Sequence, residues 1–378
     1  MTHEYPHSPT LDSVSVSRVI SLGDIVGFTQ RQREFLVTVM VHSGCFLERQ
    51  YCTFTGTARG QNSREFVARL VAGGFVRAIE PGSVRRGRLY HLHLKPLYEA
   101  IGQPDNRHRR RYSMGRMVER VMILDAVLND RRCWWLSPGT DKRAFFDTTQ
   151  HTGLRPEDYP HLTFASGSSK TVRCFPDKLP IGMEKADTSR FVFLYLVNQR
   201  IPIDFRQFVI RHHTLLRHVH RWTVRLLVPR RFRKAVALYK AALREELWSP
   251  LNPSVSQMLE TYFRERREHG GHVADPPDRY IAQEFRKQGM AKIGALYRAW
   301  RREGDVVLWR SSSTSLRDDH LHGWSACEIQ VLDAQYLQLT GAMDREAWAT
   351  RGAKRKSRQV GPPVLTPSPN HSSTVEAS

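Results

Sequence analysis

Asp177 is the side chain whose type and place come nearest to catalytic chemistry. It follows Pro176, between stretches that read as short strands at Thr171 to Phe175 and Leu179 to Ile181. It precedes Phe191 to Val197 (Phe-Val-Phe-Leu-Tyr-Leu-Val), an unbroken apolar run that predicts a fully buried central strand. A carboxylate in that place is half of what Mg²⁺-dependent hydrolysis of a phosphodiester needs. The metal must activate water and steady the leaving oxygen, which takes an acid on each of two neighbouring strands and a Lys beside the second to orient the water. The second half is missing here: Tyr195 and Val197 stand where the carboxylate and its neighbour belong, and no Lys follows. Glu184 and Asp187 come before the strand and need an irregular path to reach Asp177. The expectation is no catalytic residue, no enzyme activity, no metal and no cofactor, with Asp177 vestigial or structural. Tyr195 should share a strand face with Phe193 and Val197.

A second group of residues suits recognition. Gln61, Asn62 and Arg64 are types that read base edges, and Arg69 beside them adds a phosphate contact. Arg85, Arg86 and Arg88 cluster at the tip of an expected hairpin, and Arg109, Arg110 and Arg111 close a basic run. Between Arg59 and Lys95 there are eight Lys or Arg residues against two acids, Glu65 and Glu80. That excess favours a polyanion.

The elements that would carry these side chains form a winged helix-turn-helix. Phe35, Leu36, Val39 and Met40 recur at helical spacing, so Gln30 to His42 is a helix that Gly44 ends. Glu48 to Thr55 holds a second helix, and the stretch from Gly56 to Gly60 turns. Asn62 or Ser63 is expected to cap a third, with Phe66, Val67 and Leu70 inward and Gln61, Arg64, Ala68 and Arg69 outward. Val76 to Glu80 and Arg88 to Leu92 then read as the strands of a wing around Pro81-Gly82-Ser83. Such a run equally serves protein recognition, because a fold does not dictate a function.

The 378-residue chain has room for two or three domains. Its 58 Lys and Arg against 37 Asp and Glu leave a net charge of +21, which points to nucleic acid as partner; no long apolar run or amphipathic anchor favours a membrane. The first thirty residues are polar, with acids at Glu4, Asp12 and Asp24, so a cytoplasmic location is expected. Five cysteines with no C-x-x-C pair imply neither a disulfide framework nor a zinc site. The close pairs His91/His93, His212/His213, His218/His220 and His320/His322 lack recognised ligand spacing, save for the run Asp318-Asp319-His320-Leu321-His322, which a solvated loop explains as well.

From these patterns the fold class is a multidomain α+β and α/β chain. A polar arm (1–28) leads into the winged helix (29–104) and a basic linker (105–113). An α/β domain (114–250), a helical C-terminal region (251–350) and a disordered basic tail (351–378) follow. The α/β domain opens with a helix striped by Met117, Val121, Leu124 and Leu128, and its Trp134 and Trp135 read as core. After the buried strand, a helix at Phe205 to Val219, a strand at Thr223 to Val228 and a helix at Phe232 to Leu247 make a parallel crossover unit. From Arg200 to Lys240 there are eleven Lys or Arg and one acid, Asp204, which suggests that this domain too faces an anion. Beyond it, Val255 to His269 and Asp278 to Arg302 read as helices, Val306 to Trp309 as an added strand and Cys327 to Leu339 as a last helix.

Phe175-Pro176-Asp177 resembles the first half of the PD-(D/E)XK nuclease signature. Together with Arg64 to Phe75 (Arg-Glu-Phe-Val-Ala-Arg-Leu-Val-Ala-Gly-Gly-Phe), Leu97-Tyr98-Glu99-Ala100-Ile101-Gly102 and Trp222 to Pro229 (Trp-Thr-Val-Arg-Leu-Leu-Val-Pro), it resembles the replication-relaxation proteins of bacterial plasmids and integrated mobile elements. The likeness covers roughly Gln30 to Leu247, and departs from members that carry a Glu on the second strand. It implies a degenerate restriction-nuclease-like domain, and double-stranded DNA binding tied to replication, transfer or transcriptional regulation of a mobile element. The competing expectation is an interaction module that docks a replication or conjugation protein; a metal-dependent nuclease is a third. Oligomeric state and DNA target are not legible.

Overall fold

The computed structural model describes residues 16–23, 27–79, 88–148, 154–166, 169–269 and 279–332. Within them the protein is a mixed α and β structure with a three-stranded sheet, a five-stranded sheet and a two-stranded ribbon. Among the described residues no helix is long and apolar enough to cross a membrane.

The N-terminal unit begins with a helical turn over 16–21, where the expected arm packs Val19 and Leu22 into the core. Helix α1 (Gln30–His42) starts at Thr29, whose hydroxyl accepts from the Gln32 amide while the Gln32 side chain accepts from the Thr29 amide. A strand not foreseen, β1 (Cys45–Leu47), precedes α2 (Glu48–Thr55) and α3 (Gln61–Ala72). The N-cap of α3 lies two or three residues earlier than expected. Gly60 holds the N-cap place, and Ser63, facing inward, bonds back to the Gly60 backbone and to Glu48 Oε1 at 2.8 Å. Strands β2 (Val76–Ile79) and β3 (Leu89–Leu92) are antiparallel, and β1 adds to the other side of β3. Phe35 centres the core, its ring 5.3 Å from Phe46, 5.2 Å from Tyr51, 5.6 Å from Phe54 and 6.2 Å from Phe66. The residues 80–87, with Arg85 and Arg86, lie outside the described residues, as does everything after Leu332.

A short helix α4 (Lys95–Ala100) leads into the basic run 105–113. That run is held against the N-terminal unit: His108 is buried, and its carbonyl accepts from His91 Nε2 at 2.9 Å. Gly44 sits beneath it with φ +72°, and a Cβ there would stand 2.4 Å from the His108 carbonyl oxygen, so only glycine meets both demands.

Helix α5 (Met114–Asn129) follows, buried nearly all round. Leu124 and Leu128 complete the N-terminal core, whereas Val118, Val121 and Met122 pack with Val192, Leu194 and Leu196 of the large sheet. A helix apolar on every side is what a position between two layers demands. Polar contacts fix its register: Asp125 takes both Arg49 guanidinium nitrogens at 2.7 and 2.5 Å, and the Gln50 amide donates to the Val121 carbonyl at 2.9 Å.

The large sheet contains β4 (Cys133–Leu136), β7 (Ile181–Glu184), β8 (Arg190–Leu196), β9 (Arg221–Pro229) and β10 (Ser325–Leu332), with order β10-β9-β8-β7-β4. Neighbouring strands β4, β7 and β8 run antiparallel; β8, β9 and β10 run parallel. Helix α6 (Gly139–Thr148) and a ribbon of β5 (His161–Ser166) and β6 (Ser169–Cys174) fill the connection from β4 to β7. Helix α7 (Ile203–His218) makes the crossover between β8 and β9. On β8, Phe191, Phe193 and Tyr195 face α7, and Val192, Leu194 and Leu196 face α5.

After β9, α8 (Val236–Leu243) runs into a wide turn over Arg244–Trp248. Helices α9 (Pro253–Glu268), α10 (Arg279–Gln288), α11 (Met290–Glu303), α12 (Val306–Ser312) and α13 (Ser315–Leu321) precede β10. Three expectations fail here. The helix read across Asp278 to Arg302 breaks at Gly289, which has φ +82°. Val306 to Trp309 is helical because Val307 and Leu308, adjacent in sequence, are both buried, a pairing that a two-residue strand period would separate. Cys327 onward is a strand, since Cys327 and Ile329 pack toward the α7 face while Glu328 between them meets Arg225.

Candidate nucleic-acid interface

Helix α3 presents Gln61, Asn62, Arg64, Glu65, Ala68 and Arg69 to solvent and buries Phe66, Val67 and Leu70. Its orientation is set from beneath, where Phe66 stacks on Tyr51 of α2 with ring centres 4.2 Å apart. The small Ala68 in the middle of the outer face leaves room for a surface to approach. Gln61 donates to Glu65 at 2.7 Å, a contact at the helix surface that exchanges readily for another acceptor. Arg69 is engaged: its guanidinium donates to the Gly27 carbonyl at 2.6 Å and lies 4.7 Å over the Phe28 ring, so it ties the entering chain to α3. Two further cations of the expected surface are paired, Arg59 with Glu48 at 2.6 Å and Lys95 with Glu99 at 2.8 Å. Burial raises the Glu48 carboxyl, but the bonds from Arg59 and Ser63 outweigh it and hold the group below the usual range. Arg64, Arg77 and Arg88 are exposed and have no carboxylate partner among the described residues. Arg109 is half-buried with its Nε unpartnered, while Arg110 and Arg111 are exposed.

Asp177 has a different setting. Its carboxylate accepts from Arg211 of α7 at 2.6 Å. Behind it Lys142 of α6 is fully enclosed and donates to the Leu179 carbonyl at 2.6 Å; burial pulls this amine down to about 8, with Asp177 and Asp141 opposing the shift. Tyr195 occupies the place on β8 where a second acid would stand. It packs on Phe205 and Phe208, with ring centres 4.7 and 5.1 Å away, and burial raises its phenol. Glu184 sits at the far end of β7 from Asp177 and reaches Arg190 at 4.0 Å; Asp187, in the following turn, is held by Ser189 and Arg221. The three acids and the phenol that sequence spacing raised are not brought together.

The basic run of the α/β unit is partly consumed inside the protein. Arg206 reaches Glu246 at 2.6 Å and also bonds Glu245, Arg221 reaches Asp187 at 3.3 Å, and Arg225 bridges Asp130 at 2.6 Å and Glu328 at 2.8 Å. These acids lie outside the window whose imbalance pointed to an anionic partner. Among the described residues no three His, Cys, Asp or Glu side chains are grouped to hold a metal ion. His212 Nδ1 donates within its own helix to the Phe208 carbonyl, His213 is buried apart from it, and His320 stacks on Trp248 at 3.6 Å.

Sequence reasoning missed Arg211 as the partner of Asp177, and Arg107 and Lys178 as members of a basic cluster. The signal for Lys178 was adjacency to Asp177; nothing local marks Arg211, 34 positions away. No family model, no curated protein and no solved structure matches this chain.

Proposed function

We propose that this protein binds double-stranded DNA through the N-terminal unit, read as a winged helix-turn-helix with α3 as recognition helix. The observation that carries the proposal is the outer face of α3. Its Gln61, Asn62 and Arg64 project from a helix whose opposite side is locked into an aromatic core, which is the geometry base-edge recognition requires. Arg77 and Arg88 supply phosphate contacts beside the β2–β3 hairpin.

The topology of the large sheet supports its reading as a degenerate nuclease-like platform. Helix α5, three antiparallel strands, a crossover helix and a parallel strand place Asp177 before β7 and Tyr195 on the adjacent β8, the two positions at which a metal site of that kind needs acids. With one acid absent and the other bound to Arg211, the platform serves binding without cleavage. The resemblance to replication-relaxation proteins makes control of replication, transfer or transcription of a mobile element the setting that fits.

The test is a duplex-binding titration of the full chain against the variant in which Arg64, Arg85, Arg86 and Arg88 are all Ala. Expected are a loss of about a hundredfold and a salt slope shallower by about three to four. An affinity within a factor of two of the parent would overturn the reading in favour of a module that docks a protein partner.

A further inference from the structure

A cavity of about 400 Å³ opens between the basic run 105–113, the start of α6 and the segment joining β6 to β7. Three of its lining cations, Arg107, Arg173 and Lys178, have no carboxylate partner among the described residues. Two acids share the lining, Asp177, already bound to Arg211, and Asp105, exposed on the basic run, while Arg143 at the rim shares its charge with Asp147 at 3.3 Å. The cluster extends inward: Lys178 lies 5.2 Å from the Tyr112 ring, and Arg120 covers the same ring at 3.6 Å. Burial, followed by Arg120, Arg107 and Arg116, pulls the Lys178 amine down to about 8. Like charges gathered in a recess repel one another and lose hydration, a cost that a bound anion removes.

Two independent features mark the recess as shaped for a ligand. Phe175 in its wall is the one non-glycine residue with positive φ among the described residues, at +47°. This unfavourable backbone packs its ring against Tyr159 and Phe146, and it precedes Asp177 and Lys178 of the cavity wall. His108, also in the wall, is 6% exposed and its Nδ1 has no partner among the described residues.

We propose that this cavity is a phosphate-binding site, built on Arg107, Lys178 and Arg173, that takes a phosphoryl group from a nucleotide or from a DNA backbone. It lies apart from α3 and goes beyond the duplex-reading proposal. The experiment is a thermal melt of the full chain with inorganic pyrophosphate, repeated on Arg107→Gln and on the double variant with Lys178→Gln. Because Arg107 is exposed, the single variant keeps the fold. Pyrophosphate at a hundredfold excess over its Kd should raise the parent Tm by about 4 °C, and its affinity should fall at least about tenfold in each variant. The variant lacking Arg64, Arg85, Arg86 and Arg88 should keep the pyrophosphate response while losing duplex. Competition between pyrophosphate and duplex on the parent assigns the phosphoryl group to DNA, and simultaneous binding assigns it to a free nucleotide; either supports the site. No rise in Tm, or an equal rise in parent and double variant, overturns it.

Discussion

The outer face of α3 and the surroundings of Asp177 are both rich in polar side chains, yet folding treats them in opposite ways. On α3 the side chains project into water and the fold needs none of them beyond Arg69, which anchors Gly27. Beside Asp177 the enclosed charges are tied to other parts of the chain, Asp177 to Arg211 and Lys142 to the Leu179 carbonyl, and only Arg107, Arg173 and Lys178 are left to the recess. The lesson concerns net charge. An excess of Arg along a stretch is not an excess at the surface, because Arg206, Arg211, Arg221 and Arg225 find their acids far away in sequence. Only the charges that remain outside after this pairing can meet a partner.

The contrast can be tested first where the interior is most exposed to attack, through its histidines. Burial pulls His42 and His213 down to about 3 and His212 down to about 4, so these rings are neutral in the folded protein, whereas unfolded they take up protons below about pH 6.5. A depressed folded pKa gives stability that is complete above the unfolded value and is lost as pH falls toward the folded one. Together they should cost about 4 kcal/mol between pH 7.5 and 5.5. Urea unfolding at the two pH values measures this, and His213→Leu should flatten the slope by about one proton.

Next in size is Arg225→Met. It leaves Asp130, 8% exposed, with only Arg132 as cation and should lower stability by about 3 kcal/mol while leaving duplex affinity unchanged. A loss of duplex binding at constant stability would place Arg225 on the wrong side of the comparison. Asp177→Asn should cost less, about 1 to 2 kcal/mol, because the pair with Arg211 is only partly buried. Supercoiled plasmid incubated with Mg²⁺ or Mn²⁺ should stay unnicked with both proteins; nicking by the parent that Asp177→Ala abolishes would restore the nuclease reading. Smallest in stability is Gln61→Ala, expected within about 0.5 kcal/mol of the parent in urea and about tenfold weaker on duplex.

Much of the N-terminal unit was legible because its signals are local. Gly44 follows the end of α1, Gly56 and Gly60 bracket the turn, and the inward set Phe66, Val67, Leu70 has helical spacing. The buried strand at Phe191 and the crossover through α7 were also legible, since an unbroken apolar run followed by a periodic helix has few other solutions. What failed depended on distant partners. Cys327 to Leu332 alternates weakly, and its strand character comes from pairing with β9, about a hundred residues earlier. Strand β1 is three residues long and exists because β3 lies beside it. The stripe on α5 was read as one-sided, whereas its other residues are apolar for contact with a second layer. At the site, residue types were readable and their engagement was not: Arg69 and Arg64 look alike in sequence and differ only in what folds beside them.

Helix α5 carries a consequence for how the molecule comes apart. Its two faces complete two cores, and Arg49, Gln50 and Asp125 lock the N-terminal side to it. Neither core can open without stripping apolar surface from the other, so the helix acts as a party wall and heat should dissolve both rooms in one calorimetric transition. The same wall forbids modular reuse. An N-terminal unit excised at the run 105–113 would leave Leu124 and Leu128 behind and carry Phe46 and Leu92 into water, so moving that unit to another chain means grafting α5 along with it.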